Sequence, residues 1–415
     1  MSSPVSWRSQ KPLRVLIFVW LLRSFGYFTL MPLLALFLRE APFSFQASQI
    51  ALVLGLFAIA DRGLSLVWAV FIQRFSYRMC MVLGFSVAGL SLIAISLYHH
   101  FYFCIVMMII FGAGLSFAAL ASRLWTLSIE DAEERLMGMS EIYRAINLAA
   151  GVAPVIAFLL PYQRYALEMI ATGGVFQLLA AFVLFFFFRS DLQASEKMFS
   201  WKGLIFAFKN HIFTFPILSL YLVFGLSSFS MFQMLIVPYY YKTYYTIPSI
   251  IGFVLAINPF AIVFFQKRVS KLFFRMHHRQ ASLAYFVGLI SITLGFIPFI
   301  FTSHPLALVA LTLGSTFGEM LILGHTDYML TLRTPKSVHP YILSLTGVVM
   351  ALGRGVAEGG AIASLSFFTS HGLPPETWWM LNAVLFAAVT VVGMMLVTKR
   401  QKLRTTTPLR LEECP

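Results

Sequence analysis

Long runs of apolar residues dominate the sequence, and their length is the strongest constraint on its fold. A helix that crosses a bilayer core of about 30 Å needs around 20 predominantly apolar residues. Twelve such runs lie at residues 13–38, 48–72, 79–98, 101–126, 136–160, 165–188, 211–238, 247–265, 281–302, 305–332, 340–370 and 377–398. We therefore predict an all-α membrane protein with about twelve transmembrane helices.

Composition supports this prediction and excludes a water-soluble domain. Of the 415 residues, 59% are hydrophobic and only 11% are charged, whereas a soluble domain has roughly 45–50% apolar and about 25% charged residues. The charged residues are too few to cover a protein surface that faces water. The surface must therefore face lipid, where ionised groups are costly. Membrane lipid is therefore an expected partner.

The net charge of +14 has a topological explanation. With both termini in the cytoplasm, 23 of the 30 Lys and Arg residues fall on the cytoplasmic side of the predicted helices, and four lie inside them. The opposite side keeps three, which are Arg39, Arg164 and Lys242. This bias predicts a multi-pass protein of the cytoplasmic (inner) membrane with both termini inside, and it argues against a nucleic-acid partner.

The chain divides into two halves at its one long polar connection. We predict a six-helix bundle at residues 1–189, a cytoplasmic loop at 190–210, and a second bundle with a short basic tail at 211–415. Gly-Val-Ala at residues 151–153 recurs at residues 355–357, an offset of 204 residues. Repeated halves around a midplane site are how many secondary transporters are built.

Sequence motifs for other chemistries are missing. The three cysteines have no spacing typical of a disulfide framework or a zinc site, and no segment resembles the nucleotide-binding loop G-x-x-x-x-G-K-[ST]. No nucleophile–base constellation stands out. We expect no metal and no cofactor, and we do not expect an enzyme. The first run is too long for a signal-peptide core, so we interpret it as a retained helix.

Two motifs carry a resemblance to a known family. The loop after the second run reads AVFIQRFSYR over residues 69–78, and the fifth run contains GVAP at residues 151–154. Together with the twelve runs, they resemble the major facilitator superfamily, and within it the drug/proton antiporter branch. That family's loop usually reads Gly-x-x-x-Asp-Arg-x-Gly-Arg-Lys/Arg, and its fifth helix carries a signature ending in Gly-Pro.

The loop matches the family pattern at Arg74 and Arg78, and the resemblance implies that both belong to a gate. The chain departs from the pattern at Gln73, where the family has an acid that helps to latch the outward-facing state. The resemblance also implies two pseudo-symmetric six-helix bundles, a central cavity lined by helices one, four, seven and ten, and proton coupling. Efflux is the commoner direction in this branch.

Ionisable residues inside the runs are the candidates for chemistry, because each would be costly if it faced lipid. They are Arg23, Asp61, Arg62, Glu141, Arg144, Glu319, Asp327, Arg354 and Glu358. Glu141 and Arg144 are three residues apart, and Arg354 and Glu358 are four apart, so each pair shares a helix face. They are either structural ion pairs or switches in which a substrate binds the arginine and a proton binds the acid.

Arg23 has no acid within reach on its own helix. Its guanidinium either pairs across the bundle with Asp61 or Glu319, or it anchors a carboxylate or phosphate group of the substrate. Glu319 has no basic residue three or four positions away. An acid without a cationic partner in an apolar interior takes up a proton readily. Glu319 is therefore the first candidate for proton coupling and Asp61 the second, unless each pairs structurally with Arg23 or Arg62.

Three further groups have structural or gating interpretations. Arg123 and Asp327 are also 204 residues apart, so they either form a cytoplasmic gate or remain two separate solvated charges. The glycines of the eleventh run, at positions 353, 355, 359 and 360, permit close helix contact. Five tyrosines between residues 239 and 245 are expected in an interfacial aromatic belt.

These features predict a secondary transporter that works by alternating access as a monomer. Its partners are protons and a small-molecule substrate. The buried arginines favour an organic anion as the substrate, such as a carboxylate siderophore or metabolite. The leading hypothesis is proton-coupled efflux, and the closest alternative is proton-coupled import. A transport-dead membrane sensor is a third hypothesis from a different class.

Overall fold

The computed structural model describes residues 7–72, 74–129, 132–189, 235–247, 250–274, 278–302, 304–331 and 339–404. Within these ranges the chain forms fourteen α-helices and one π turn. They are α1 Trp7–Arg39, α2 Ala47–Gly63, α3 Ser65–Ile72, α4 Tyr77–Leu97, α5 Phe101–Leu127, α6 Ala132–Leu159, α7 Ala166–Phe187, α8 Val237–Tyr244, α9 Ile251–Phe274, α10 His278–Phe301, α11 Pro305–Thr331, α12 His339–Gly355, the π turn Val356–Gly360, α13 Ala361–Ser370 and α14 Pro375–Arg404.

Eleven of the twelve predicted runs are helical in the part of the chain that the structure describes. The second run forms α2 and α3, which are separated by a turn at Leu64, and the eleventh forms α12, the π turn and α13. Of the seventh run, at 211–238, the structure describes only the last residues, and the predicted loop at 190–210 lies outside the described residues. The domain boundaries therefore stay a prediction.

Length and hydropathy agree with a membrane-spanning fold. Eight described helical stretches are long and apolar enough to cross a bilayer, and three shorter apolar stretches lie at Ile251–Gln266, Phe286–Phe301 and Leu306–Ile322. Large apolar side chains face outward along them, as at Phe182 and Phe264, which are 55% and 69% exposed. In water such side chains would be a liability, whereas in a bilayer they contact acyl chains.

Glycine contacts hold the helices of each half together, and they repeat. In the first half, α4 packs on α5 so closely that a Cβ added to Gly84 would lie 2.6 Å from the carbonyl oxygen of Gly114. In the second half, α10 packs on α11, and a Cβ on Gly318 would lie 2.7 Å from the carbonyl oxygen of Gly288. Both glycines of the second pair lie 204 residues after their counterparts. This is the offset that the sequence repeat predicts.

The described helices of the two halves meet along two surfaces and at one end. In the first seam, α2 packs on α12, the π turn and α13, and α3 packs on α12. In the second seam, α6 packs on α9. At the end of the bundle that carries residues 40–46, 160–165 and 371–374, α1 contacts α8. We call it the distal end, and the charge bias of the sequence predicts that it faces away from the cytoplasm.

Small residues bring the first seam into close contact, as the glycine-rich eleventh run predicts. A Cβ on Gly359 would lie 3.0 Å from the carbonyl oxygen of Ala51 and 3.5 Å from the Cα of Gly55. A Cβ on Gly355 would lie 3.3 Å from the side chain of Ile59. In contrast, a Cβ on Gly360 would meet no atom within 4 Å.

We expect Gly359→Leu to destabilise this arrangement of the halves and Gly360→Leu to leave it unchanged. Overpacking a close contact costs about 1–3 kcal/mol, and only Gly359 faces the seam. Thermal unfolding of the purified variants in detergent measures the difference, with Gly360→Leu as the matched control because it makes the same residue change one position away. Equal unfolding temperatures for the two variants would contradict the packing described for the seam.

Candidate functional site

A buried charge cluster joins the halves across the first seam, and Arg354 of α12 is at its centre. Its guanidinium contacts Glu358 Oε1 on the π turn at 2.8 Å and Asp61 Oδ2 on α2. It also donates to the Tyr27 hydroxyl of α1 at 3.2 Å. The guanidinium lies 5.7 Å from the ring centre of Phe57. Arg354, Asp61 and Glu358 are 4%, 5% and 0% exposed, so all three charges are buried.

The backbone of the eleventh helix changes at this cluster. Arg354 lies in the last turn of α12, and Glu358 lies on the π turn. A π turn inside an α-helix is a bulge that is frequent at functional sites. The two side chains form the ion pair that their spacing predicts. The Oε2 atom of Glu358 is buried and makes no hydrogen bond, so the carboxylate keeps one acceptor unused. Arg62 Nε lies 3.7 Å from Asp61 Oδ2 at the edge of the cluster.

Arg23 of α1 lies close to this cluster and takes part in none of its salt bridges. Its guanidinium carbon is 4.9 Å from the ring centre of Trp20 and 5.1 Å from that of Tyr27, one turn away on either side. Arg23 is 8% exposed, and its Nε atom makes no hydrogen bond. Among the described residues, the structure gives Arg23 no carboxylate partner.

A second polar group crosses the other seam, and Glu319 of α11 is its acceptor. Glu319 Oε1 accepts from the Tyr143 hydroxyl of α6 at 3.2 Å, and Oε2 accepts from Asn258 Nδ2 of α9 at 3.1 Å. Asn147 donates to the Tyr143 carbonyl oxygen at 2.9 Å. Glu319 therefore bonds to both halves through neutral donors. The sequence left open a structural ion pair of Glu319 with Arg23 or Arg62. The structure does not form this pair.

The distal end is closed by contacts between α1 and α8. Glu40 Oε1, directly after α1, lies 2.9 Å from Lys242 Nζ, and Arg39 donates to the Thr243 hydroxyl at 2.8 Å. Arg39 and Thr243 are 204 residues apart, so they are equivalent residues of the two repeats. Equivalent residues touch where an internal two-fold axis passes between them. The distal contact therefore lies at the axis that relates the halves.

The remaining predicted site residues lie elsewhere. Glu141 and Arg144 form their expected ion pair at 2.7 Å, although both side chains are more than a third exposed. Arg74 is exposed, and Arg78 donates to the carbonyl oxygen of Phe185 at the end of α7, within the first half. Arg123 is half-buried near the end of α5. Asp327 lies on the backbone of α11, and its side chain lies outside the described residues, so the gate with Arg123 stays a prediction.

Sequence reasoning missed the neutral partners of the buried charges, and it placed three of the five tyrosines wrongly. Tyr27, Tyr143 and Asn258 give no charge signal, and their partners are far away in sequence. The tyrosines at 239–241 are 4%, 1% and 2% exposed, so they belong to the protein interior and not to an interfacial belt. Tyr240 stacks with Trp378 at a ring distance of 5.8 Å, because the distal end of the second half has its own aromatic core.

We expect Arg354→Gln to be strongly destabilising, by about 3–5 kcal/mol, because it leaves the buried Glu358 without a cation and Asp61 with only the partly exposed Arg62. Neutralising all three charges at once, with Asp61→Asn, Arg354→Gln and Glu358→Gln, should recover much of the loss. Arg144→Gln serves as the control, since its exposed ion pair contributes about 0–1 kcal/mol. Thermal unfolding in detergent measures the stability of the single, triple and control variants. A triple variant no more stable than Arg354→Gln would contradict the charge pairing described for the cluster.

Comparisons with known proteins agree with the fold. The family model described as Major Facilitator Superfamily matches residues 16–358. Among solved structures, a POT family transporter in complex with a thioalcohol-conjugated peptide has a TM-score of 0.75 at 15% identity, covering 93% of this chain and 96% of that one. The nucleoside transporter NupG has a TM-score of 0.72 at 12% identity, with coverages of 93% and 99%.

A third similar structure is the human organic anion transporter MFSD10 (TETRAN), with a TM-score of 0.71, 13% identity and coverages of 93% and 99%. No curated protein sequence matches the chain. At these identities the structural similarity concerns the fold alone.

Proposed function

Because the chain belongs to the major facilitator superfamily, we propose that it carries a small organic anion across the membrane by proton-coupled alternating access. The observation that carries the proposal is Arg23, a buried guanidinium without a carboxylate partner among the described residues. An uncompensated buried charge is costly, and a protein retains one where a ligand supplies the missing charge. Arg23 lies on the first helix, which the family resemblance assigns to the central cavity.

The surroundings of Arg23 favour an anion over a cation. The cluster pairs Arg62 and Arg354 with the two carboxylates of Asp61 and Glu358. The neighbouring Arg23 adds one excess positive charge to this group. A carboxylate or phosphate group of the substrate would neutralise it, and the planar guanidinium can bind such a group with two hydrogen bonds. The rings of Trp20 and Tyr27 hold the guanidinium in place and limit its freedom before the substrate arrives.

Glu319 is the group that we assign to proton coupling. It accepts one hydrogen bond from each half of the protein, and a deprotonated carboxylate accepts both bonds. Protonation of Oε1 gives that oxygen a hydrogen of its own, which competes with the bond from Tyr143. Because this bond joins the first half to the second, protonation of Glu319 at Oε1 weakens the contact across the second seam. This gives a proton a direct way to change the contact between the halves.

The direction that we propose is efflux, with protons entering as the organic anion leaves, and import of a siderophore or carboxylate metabolite is the alternative. The substrate, protons and lipid are the partners required, and the two halves within one chain suffice for alternating access. We do not assign catalysis to any residue. Proteoliposomes with a pH gradient imposed in either direction distinguish export from import by the sign of the gradient that drives anion flux.

We expect Arg23→Gln to weaken binding of organic anions by about tenfold or more, because a charge-assisted hydrogen bond contributes about 1.5–3 kcal/mol. Arg23→Lys should retain part of the affinity, since it keeps the charge and loses the planar fork. Arg164→Gln, at an exposed arginine of the distal loops, is the charge-matched control. Equilibrium binding to a panel of organic anions and cations measures the effect, and unchanged affinity in Arg23→Gln would remove this residue from the site.

We expect Glu319→Gln to abolish flux driven by a pH gradient while substrate exchange at equal pH continues. The amide cannot carry a proton between the two sides, although it can still form hydrogen bonds to Tyr143 and Asn258. Tyr143→Phe removes one bond and leaves the carboxylate, so it should retain gradient-driven flux. Gradient-driven flux in Glu319→Gln equal to that of the unmodified protein would exclude Glu319 as the coupling group.

A further inference from the structure

We propose that the distal end carries a second binding site, for a small oxyanion of the carboxylate or phosphate class, whose occupation holds this end closed. The site is a cavity of about 260 Å³ that is separate from the Arg23 and Arg354 cluster. The described residues that line it are Arg39, Phe45, Gln46, Ala47, Tyr239, Thr243, Ser366 and Thr369. None of them is acidic.

Charge identifies the class of ligand. Arg39 donates to the neutral hydroxyl of Thr243 and lies 5.5 Å from the ring centre of Tyr239, and among the described residues it forms no salt bridge. The neighbouring pair of Glu40 and Lys242 is neutral as a whole. The cavity therefore has one positive charge without a carboxylate partner, on the exposed side chain of Arg39. The hydroxyls of Tyr239 and Ser366 can donate a hydrogen bond to an anion, whereas those of Thr243 and Thr369 already donate to backbone carbonyl oxygens.

The first turn of α2 adds to this preference. The cavity is lined by Gln46 and Ala47, where the 17-residue helix α2 begins. The backbone N–H groups at the start of a helix carry partial positive charge, although the Gln46 N–H of α2 already donates to Gln49 Oε1. The helix start alone would not define a site, but with the guanidinium of Arg39 on the opposite wall it makes the cavity electropositive from two directions.

Occupation of the cavity should depend on the state of the transporter. Arg39, Gln46 and Ala47 belong to the first half, whereas Tyr239, Thr243 and the α13 hydroxyls belong to the second. An anion that contacts both walls binds only while the distal end is closed, so by linkage it must favour the closed end. The cavity lies beside the contact between Arg39 and Thr243 at the internal axis, which favours a soluble anion over a lipid headgroup at the perimeter.

The experiment measures the closure of the distal end directly. Spin labels at Gln163 and His304, on distal loops of the first and second half, report the distance between the halves in the full chain, with Cys414 replaced by serine. The protein is held in phosphatidylcholine nanodiscs and titrated with inorganic phosphate, and potassium chloride of equal ionic strength is the control. We expect phosphate to increase the short-distance population and chloride to have a smaller effect.

Variants then locate the site. Arg39→Gln should raise the phosphate concentration needed for half of the effect by about tenfold or more, and Arg39→Lys should restore part of it. Arg164→Gln, at an arginine outside the cavity, should respond as the unmodified protein does. In Arg23→Gln, which lacks the proposed central anion site, phosphate should still close the distal end, and this closure should still require Arg39. The Arg23 variant separates the two sites. The distal site can therefore be rejected while the central anion site stands, and the central site can be rejected while the distal site stands.

Three results would overturn the proposal. They are an unchanged response in Arg39→Gln, an equal response to phosphate and chloride, and a response that Arg23→Gln removes. An additional arm replaces phosphatidylcholine by phosphatidylglycerol without free phosphate. Closure that depends on Arg39 in this arm alone would identify a lipid headgroup as the occupant and reject a soluble anion.

Discussion

An ionised side chain in the bilayer core is tolerated only where the protein interior or a bound ligand supplies its partners, and this constraint organises the structure. The charges described inside the protein are gathered where its two halves meet. Arg354 and Asp61 link the halves across the first seam, and Glu319 bonds across the second. Within each half, the close contacts are between glycines, such as Gly84 and Gly114.

This distribution separates rigid contacts from switchable ones. A contact between helix backbones through glycines involves no titratable group, so neither a proton nor a substrate can change it. A buried ion pair behaves differently, because water that enters an opening seam hydrates both partners and replaces the interaction that is lost. The halves can therefore move as units while the polar groups between them respond to ligands, which is the mechanical requirement of alternating access.

The sequence predicts those features that depend on local pattern. Run length predicts the helices, and spacing predicts the ion pairs of Arg354 with Glu358 and of Glu141 with Arg144. The contacts across the seams join residues 293 and 176 positions apart, Asp61 with Arg354 and Tyr143 with Glu319. No periodicity signals such contacts. The sequence predicts an interfacial aromatic belt at tyrosines 239–241, because composition alone does not distinguish such a belt from an aromatic core.

The repeat conserves packing and not charge. An offset of 204 residues relates the glycine pair of α4 and α5 to that of α10 and α11. At the same offset, Glu319 corresponds to Leu115, and Arg354 corresponds to Ala150. Each candidate chemical group therefore occurs in one repeat only. Two equivalent halves build a symmetric frame, and the single-copy charges make the site between them asymmetric. The proposed binding of one anion and one proton at different places requires such an asymmetric site.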